Sequence, residues 1–93
     1  MEYRNRTMQK LQVSDALRRE AAQYGWDLIR YVGELDGLPV FRLSFKGTPK
    51  GAKLGYPNLY FQLSDGSIEE LSYTDMLRVV KSSFYQRGGK VME

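Results

Sequence analysis

The cationic side chains of this sequence include a lysine- and glycine-rich stretch suited to contact with an anion. In the segment 46-KGTPKGAKLG-55, Lys46, Lys50 and Lys53 are interspersed with glycines. Glycines let backbone N–H groups approach an anion closely, and the lysines add positive charge. The spacing is not that of a P-loop, which needs Gly-x-x-x-x-Gly-Lys-Ser/Thr running into a helix. The stretch therefore predicts contact with phosphates without nucleotide hydrolysis. A flexible, solvated connector would account for the same residues.

A second group of cations lies in the last predicted helix, beside an aromatic ring. At helical spacing Arg78, Lys81 and Tyr85 fall within about 60° of one another, and Arg87 follows just beyond. Two cations next to a ring suit a phosphate together with a base or sugar. A solvated helix face would account for the same residues, because cations are favourable near a helix C-terminus without any ligand.

Residue types that commonly carry catalysis are scarce. The sequence has no histidine and no cysteine, which removes the commonest general base near neutral pH and the usual ligands of structural zinc. The carboxylates of Asp65, Glu69, Glu70 and Asp75 are of a type that does acid–base work or holds Mg²⁺. Glu69 and Glu70 are adjacent on a predicted strand and so point to opposite faces. We therefore expect no enzymatic activity, no metal site and no cofactor.

Composition places the chain among small globular domains. Its 93 residues and net charge of +3 predict one domain of modest stability. No apolar run is long enough to form a membrane helix, and the first residues lack the apolar core of a signal peptide. The absence of cysteine fits a reducing compartment. These features predict a cytoplasmic protein without a membrane partner.

Two helices are predicted to position the charged side chains. Ser14 is a good N-cap and Gly25 a good C-terminal stop, which predicts a helix over residues 15–24. In the last helix Thr74 is the predicted N-cap, and Gly88-Gly89 end the helix. The sequence Ser72-x-x-Asp75 is a looser capping signature at the same place.

A first hairpin is predicted from residues 26–35 and 38–46 around Asp36-Gly37. A two-residue turn would place Val32 opposite Phe41 and Leu28 opposite Phe45, on an apolar face shared with Trp26 and Leu43. Arg30 then falls on that face, opposite Leu43. Two interpretations of Arg30 are open: an arginine that snorkels at the edge of the sheet, and an inward-facing arginine with a function.

A second hairpin is predicted from 57-PNLYFQLSDGS-67 and 68-IEEL-71. Leu59, Phe61 and Leu63 alternate with polar or amphipathic residues, which is typical of a core strand. Asp65-Gly66 favours a tight turn. A two-residue turn would set Glu70 against Phe61, so either a bulge or a three-residue turn is needed.

The order α-β-β-β-β-α predicts a small α+β domain over residues 14–88. Residues 1–13 are predicted to form a polar arm, and residues 89–93 a C-terminal tail. The two hairpins are expected to form one antiparallel sheet, with both helices packed on the same face.

Two functions follow as hypotheses for such a domain. The first is non-catalytic binding of nucleic acid through phosphate contacts. The second is a protein-interaction module, an adaptor or inhibitor, because tyrosines are favoured at interfaces. The tyrosines considered for it are Tyr31, Tyr56, Tyr60 and Tyr73. The residues predicted to contact nucleic acid are Lys46, Lys50, Lys53, Arg78, Lys81, Tyr85 and Arg87. The sequence does not indicate an oligomeric state.

Overall fold

The computed structural model of the chain describes residues 11–47 and 57–93. Within these ranges the strands form one antiparallel sheet with helices on both sides. The elements in chain order are α1 (Asp15–Tyr24), β1 (Leu28–Leu35), β2 (Leu38–Ser44), β3 (Asn58–Gln62), β4 (Ile68–Glu70), α2 (Tyr73–Val80), α3 (Ser83–Gln86) and β5 (Lys90–Val91). The strand order across the sheet is β4-β3-β2-β1-β5.

The α+β class, the antiparallel sheet and the single domain predicted from the sequence are confirmed. The structure adds a short strand in the segment 89–93, which was expected to be a tail. Strand β5 pairs with Arg30 and Tyr31 of β1, and Met92 packs against the core. At the other end, Val13 belongs to the expected polar arm but is buried in the same core.

The two long helices cover opposite faces of the sheet, whereas one shared face was expected. Phe41 pairs with Tyr60 across β2 and β3, and their chain neighbours Val40 and Phe61 pair with each other. Successive strand residues point to opposite sides, so these two pairs lie on different faces. Helix α1 packs on the face of Phe41, called the α1 face below, and α2 packs on the face of Val40, called the α2 face. The buried residues of the α1 face are Val13, Leu17, Ala21, Ile29, Phe41, Leu43 and Tyr60, and those of the α2 face are Val32, Val40, Leu59, Phe61, Met76 and Val79.

Helix α1 has the bounds that its capping residues predict. Ser14 Oγ accepts a hydrogen bond from the backbone N–H of Leu17 at 3.2 Å, which satisfies a donor that has no partner inside the helix. Gly25 ends the helix in the left-handed region with a φ of 74°. The side chain of Gln62 on β3 accepts from the Ser14 N–H at 2.8 Å. The start of α1 is thereby fixed to the sheet.

The first hairpin has the predicted turn but a different register. Asp36 and Gly37 both have positive φ, 54° and 84°, as a two-residue turn of the favoured type requires. Between Tyr31 and Gly33 the pairing shifts, so that Tyr31, and not Val32, lies opposite Phe41. This β-bulge places an extra residue in β1. From Leu28 to Tyr31, each residue of β1 therefore pairs one position away from its predicted partner on β2.

The displaced register divides the predicted apolar face between the two sides of the sheet. Val32 belongs to the α2 face, whereas Phe41 and Leu43 belong to the α1 face. Leu28 pairs with Ser44. Phe45, predicted to lie opposite Leu28, is 51% exposed, so its assignment to the core is wrong.

The second hairpin uses a three-residue turn, one of the two alternatives left open by the sequence. The N–H of Leu63 donates to the carbonyl of Ser67 at 2.8 Å, and Gly66 has a φ of 90° within the turn. Phe61 consequently pairs with Glu69 instead of Glu70. The return strand β4 ends at Glu70 and lies at one edge of the sheet.

The last helix begins earlier than predicted and is interrupted. The N-cap is Ser72, whose Oγ accepts from the Asp75 N–H at 3.2 Å. The assignment of Thr74 as the cap is therefore wrong. Helix α2 ends at Val80, and Ser82 caps the separate four-residue helix α3. The apolar spacing predicted one continuous helix, because the positions of apolar residues do not show that Ser82 caps a second helix.

Candidate functional site

The bulge in β1 brings two arginines together on the α2 face. Arg30 on β1 lies directly opposite Arg42 on β2, and directly opposite residues of neighbouring strands share a face. Both side chains are half-buried. Their neighbours across the sheet are Val91 on β5 and Leu59 on β3. We refer to Arg30 and Arg42 as the arginine pair.

Arg30 reaches the chain between α3 and β5. Its Nη1 donates to the carbonyl oxygen of Gly88 at 2.8 Å. Gly88 has a φ of 97°, and a Cβ there would lie 3.0 Å from the same Nη1, so a glycine suits both the backbone conformation and the contact. Arg30 is thus half-buried on the α2 face beside β5, and both interpretations, a snorkelling and a functional arginine, stay predictions. One bond to a carbonyl leaves most of its five donors for other partners.

Arg42 is held by an aromatic ring. Its guanidinium carbon lies 5.7 Å from the centre of the Tyr85 ring, within the range of a cation–π interaction. Its Nε is buried without a hydrogen-bond partner. A buried donor without an acceptor is unfavourable and costs stability.

No carboxylate neutralises the arginine pair within residues 11–47 and 57–93. The ion pairs between these residues involve Arg18 and Arg78 instead. Like charges directly opposite each other on neighbouring strands repel and destabilise the pair. An oxyanion placed between the two guanidinium groups would relieve this repulsion and accept charge-assisted hydrogen bonds. Chemically, the site is suited to a phosphate or a carboxylate.

The predicted cationic helix face is divided by the break after α2. Tyr85 packs against the core of the α2 face and contacts Arg42. Lys81 is exposed at the C-terminus of α2, and Arg87 is exposed just before Gly88. The expectation that Arg78, Lys81 and Tyr85 share one outward surface is therefore not met.

Arg78 is already occupied by carboxylates. It pairs with Asp36 at 3.2 Å and with Asp75 at 3.1 Å. Hydrogen bonds to Asp36 and then to Asp75 raise the pKa of Arg78. A cation bound on two sides by acids is poorly placed to attract a further anion.

The lysines of the glycine-rich stretch are only partly described. Lys46 is exposed after the end of β2, and its backbone N–H donates to the Asp27 carboxylate at 2.7 Å. Lys50 and Lys53 lie outside the described residues, as does Tyr56. The residues predicted to contact nucleic acid thus included neither Arg30 nor Arg42. The signals that could have found the arginine pair were the misfit of Arg30 and the glycine at position 33, which marks the bulge.

The carboxylates considered for catalysis do not converge. Asp65 accepts two hydrogen bonds from Ser67, from its hydroxyl at 2.6 Å and its N–H at 2.9 Å, and these bonds lower the pKa of Asp65. Asp75 pairs with Arg78, while Glu69 and Glu70 are exposed on β4. In the described part of the chain no three histidine, cysteine or acidic residues are grouped as a metal site would require. Nor is any helix of that part long and apolar enough to cross a membrane.

Of the tyrosines proposed for a protein interface, the three that the structure describes do not form one surface. Tyr60 is buried on the α1 face, where its hydroxyl donates to Glu20 Oε2 at 3.0 Å. Burial first, and then the Glu20 carboxylate, raise the pKa of Tyr60 above its ordinary value. Tyr31 is half-buried between the rings of Phe41 and Phe84, and Tyr73 is exposed.

Comparison with known proteins gives no match. No protein-family model, no curated protein and no solved structure resembles this chain at a significant level. Any functional statement therefore rests on the residues of the site themselves.

Proposed function

We propose that this chain is a non-catalytic domain that binds nucleic acid through its phosphates. The observation that carries the proposal is the arginine pair. Arg30 and Arg42 face each other, and no carboxylate of the described residues forms an ion pair with either of them. Guanidinium groups present planar sets of donors that match phosphate oxygens, often two at a time.

Neighbouring cationic side chains favour a ligand with several phosphates, such as a nucleic acid, over a single small anion. Arg87 precedes the Gly88 carbonyl that Arg30 contacts, and Lys81 lies exposed at the end of α2. These cations extend the positive region beyond the arginine pair. The Tyr85 ring lies beside Arg42, as aromatic groups do in sites that contact bases or sugars as well as phosphates.

The alternative is a protein-interaction module that uses exposed tyrosines. It receives less support, because Tyr60 is buried and Tyr31 is half-buried. An enzymatic role also receives little support, since the sequence offers no histidine or cysteine. The cytoplasmic location stays a prediction from composition.

A salt titration with labelled single-stranded DNA, duplex DNA and RNA tests the proposal. Each neutralised phosphate contributes about 0.9 to the slope of log affinity against log salt on duplex DNA, and about 0.7 on single strands. Arg30→Gln/Arg42→Gln should therefore flatten the slope by roughly 1.4 to 1.8. The same titration of Lys50→Ala/Lys53→Ala measures the contribution of the glycine-rich stretch separately.

The matched control is Arg19→Gln compared with Arg42→Gln, because each removes one charge, in the control from the exposed surface of α1 on the other side of the sheet. Arg19→Gln should keep the slope of the original protein nearly unchanged, with circular dichroism verifying that all variants are folded. Absence of binding to every nucleic acid at about 50 mM salt, where phosphate contacts are strongest, would overturn the proposal. An equal flattening of the slope in the control would show that binding depends on net charge and not on the arginine pair.

A further inference from the structure

The two edges of the sheet differ in how they are protected. At one edge, β4 is three residues long and carries the exposed Glu69 and Glu70. Short, charged edge strands resist pairing with another chain. At the other edge, β5 and the two residues after it cover β1 only from Ile29 to Tyr31. Among the described residues, no strand pairs with the outer side of β1 from Val32 to Leu35.

Backbone groups of β1 point outward along this uncovered part. Leu35 and Leu38 flank the two-residue turn of the first hairpin, and the pair flanking such a turn exchanges hydrogen bonds. The next residue outward, Glu34, therefore directs its N–H and carbonyl away from β2. Its partner is Pro39, which has no N–H to donate. Glu34 thus offers a donor and an acceptor to an added strand.

A groove runs beside the same edge. Its volume is about 350 Å³, and it lies between β1 and the end of α2. Leu35, Val79 and Phe84 line it with apolar surface, and Gly33 has no side chain to fill it. Phe84 contributes the wall nearest to Gly33, where a Cβ would lie 4.0 Å from the ring. The groove is of a size to take one apolar side chain of a strand laid along β1.

The charges around the groove determine which partner fits. Glu34 and Arg78 both line it, but Arg78 is paired with Asp36 and Asp75. Because Arg78 is neutralised by these two carboxylates, Glu34 is the charged lining residue without an ion pair to another described residue. A basic residue next to the apolar one would therefore be attracted to the rim, whereas an acidic peptide would be repelled.

We propose that the Val32–Leu35 edge of β1 binds an extended peptide as an additional strand of the sheet. The peptide places an apolar side chain in the groove of Val79 and Phe84 and a lysine or arginine beside Glu34. This site is separate from the arginine pair, which faces the sheet surface and not its edge, and it does not depend on nucleic-acid binding.

Selection from a displayed library of random peptides of about seven residues tests the proposal. The enriched sequences should combine a basic and an apolar residue. By nuclear magnetic resonance, a selected peptide should slow hydrogen exchange of the Glu34 amide and shift the signals of Phe84. Arg42→Gln, on the neighbouring strand β2, should bind the peptide as well as the original protein does, so failure of the nucleic-acid proposal would leave this one standing.

Glu34→Lys and Glu69→Lys form the matched pair of variants, because each reverses an exposed glutamate on a strand segment without an outer neighbour among the described strands. Glu34→Lys should weaken peptide binding about three- to tenfold, the range expected of a surface charge pair replaced by a repulsive one. Glu69→Lys should leave the affinity unchanged. Failure to enrich any peptide, or enriched peptides that perturb residues away from β1, would overturn the proposal, as would an equal effect of the two variants.

Discussion

The two faces of the sheet are covered in different ways. On the α1 face, a ten-residue helix lies over apolar side chains, and the buried hydroxyl of Tyr60 has Glu20 as its acceptor. On the α2 face, an eight-residue helix is followed by a break and a four-residue helix. The Nε of Arg42 there is buried without an acceptor. One face is a closed core, and the other combines a core with an open charged region.

The difference shows how a small domain separates stability from binding. A continuous amphipathic helix buries one face and satisfies the polar groups that it covers. A helix interrupted at Ser82 leaves part of its face to arginines, whose long side chains cover apolar surface while their charged ends stay accessible. We therefore expect truncations on the α1 face to affect stability most, and changes to the arginine pair to affect binding most.

Phe41→Ala gives the largest expected effect. Phe41 is fully buried on the α1 face, and truncation of a buried phenylalanine leaves a cavity as well as losing apolar burial. We expect the free energy of unfolding to fall by about 3–5 kcal/mol in denaturant melts. Phe45→Ala is the control, because its ring is half-exposed, and it should lose less than half as much. Equal losses would contradict the assignment of Phe41 and Phe45 to different environments.

Tyr60→Phe probes the polar contact of the α1 face. Loss of the hydrogen bond to Glu20 should lower the free energy of unfolding by about 1 kcal/mol at neutral pH. The pKa of Tyr60 is raised by folding above its ordinary value of 10.0. The protonated phenol therefore stabilises the fold fully below pH 10, and this contribution is lost as the pH rises towards the folded-state pKa.

The alkaline limb tests the coupling of Tyr60 to folding. Below pH 10 the difference in stability between the original protein and Tyr60→Phe should stay constant, and above pH 10 it should shrink, because only the original protein loses the contribution of this phenol. Parallel pH profiles for the original protein and Tyr60→Phe would contradict the coupling between this phenol and folding.

Arg42→Met gives the smallest expected change in stability. Methionine has a similar length and removes both the repulsion from Arg30 and the buried Nε without an acceptor. Those gains oppose the loss of the contact with Tyr85, worth about 0.5–1 kcal/mol at an exposed site. We expect the free energy of unfolding to change by no more than about 1 kcal/mol, while nucleic-acid binding weakens. A loss comparable to that of Phe41→Ala would mean that Arg42 is a structural residue.

Features fixed by neighbouring residues were predictable from the sequence. Ser14 and Gly25 set the ends of α1, and Asp36-Gly37 sets the first turn, because a cap or a tight turn depends on a few adjacent residues. The α+β class followed from the order of such elements. The break at Ser82 was missed, since Phe84 continues the apolar spacing of α2 whether or not the helix is continuous.

Features that depend on distant residues were not predictable in the same way. The bulge beside Gly33 decides that Arg30 faces Arg42, and a single displaced residue moves each side chain to a different partner. Strand β5 is two residues long and carries no pattern of its own. That both faces are covered was indicated only by the unbroken apolar run Leu59-Tyr60-Phe61, which is typical of a strand buried on both sides.

Strand β5 also has a consequence for the order of events during folding. The other strands pair with their neighbours in the chain, whereas β5 joins β1 across almost the whole described sequence. Contacts between distant residues require closure of a long loop, so they form late when local contacts can form first. Docking of β5 also carries the Gly88 carbonyl to Arg30. We therefore expect the arginine pair to reach its final arrangement late in folding, after strands β1 to β4 have paired.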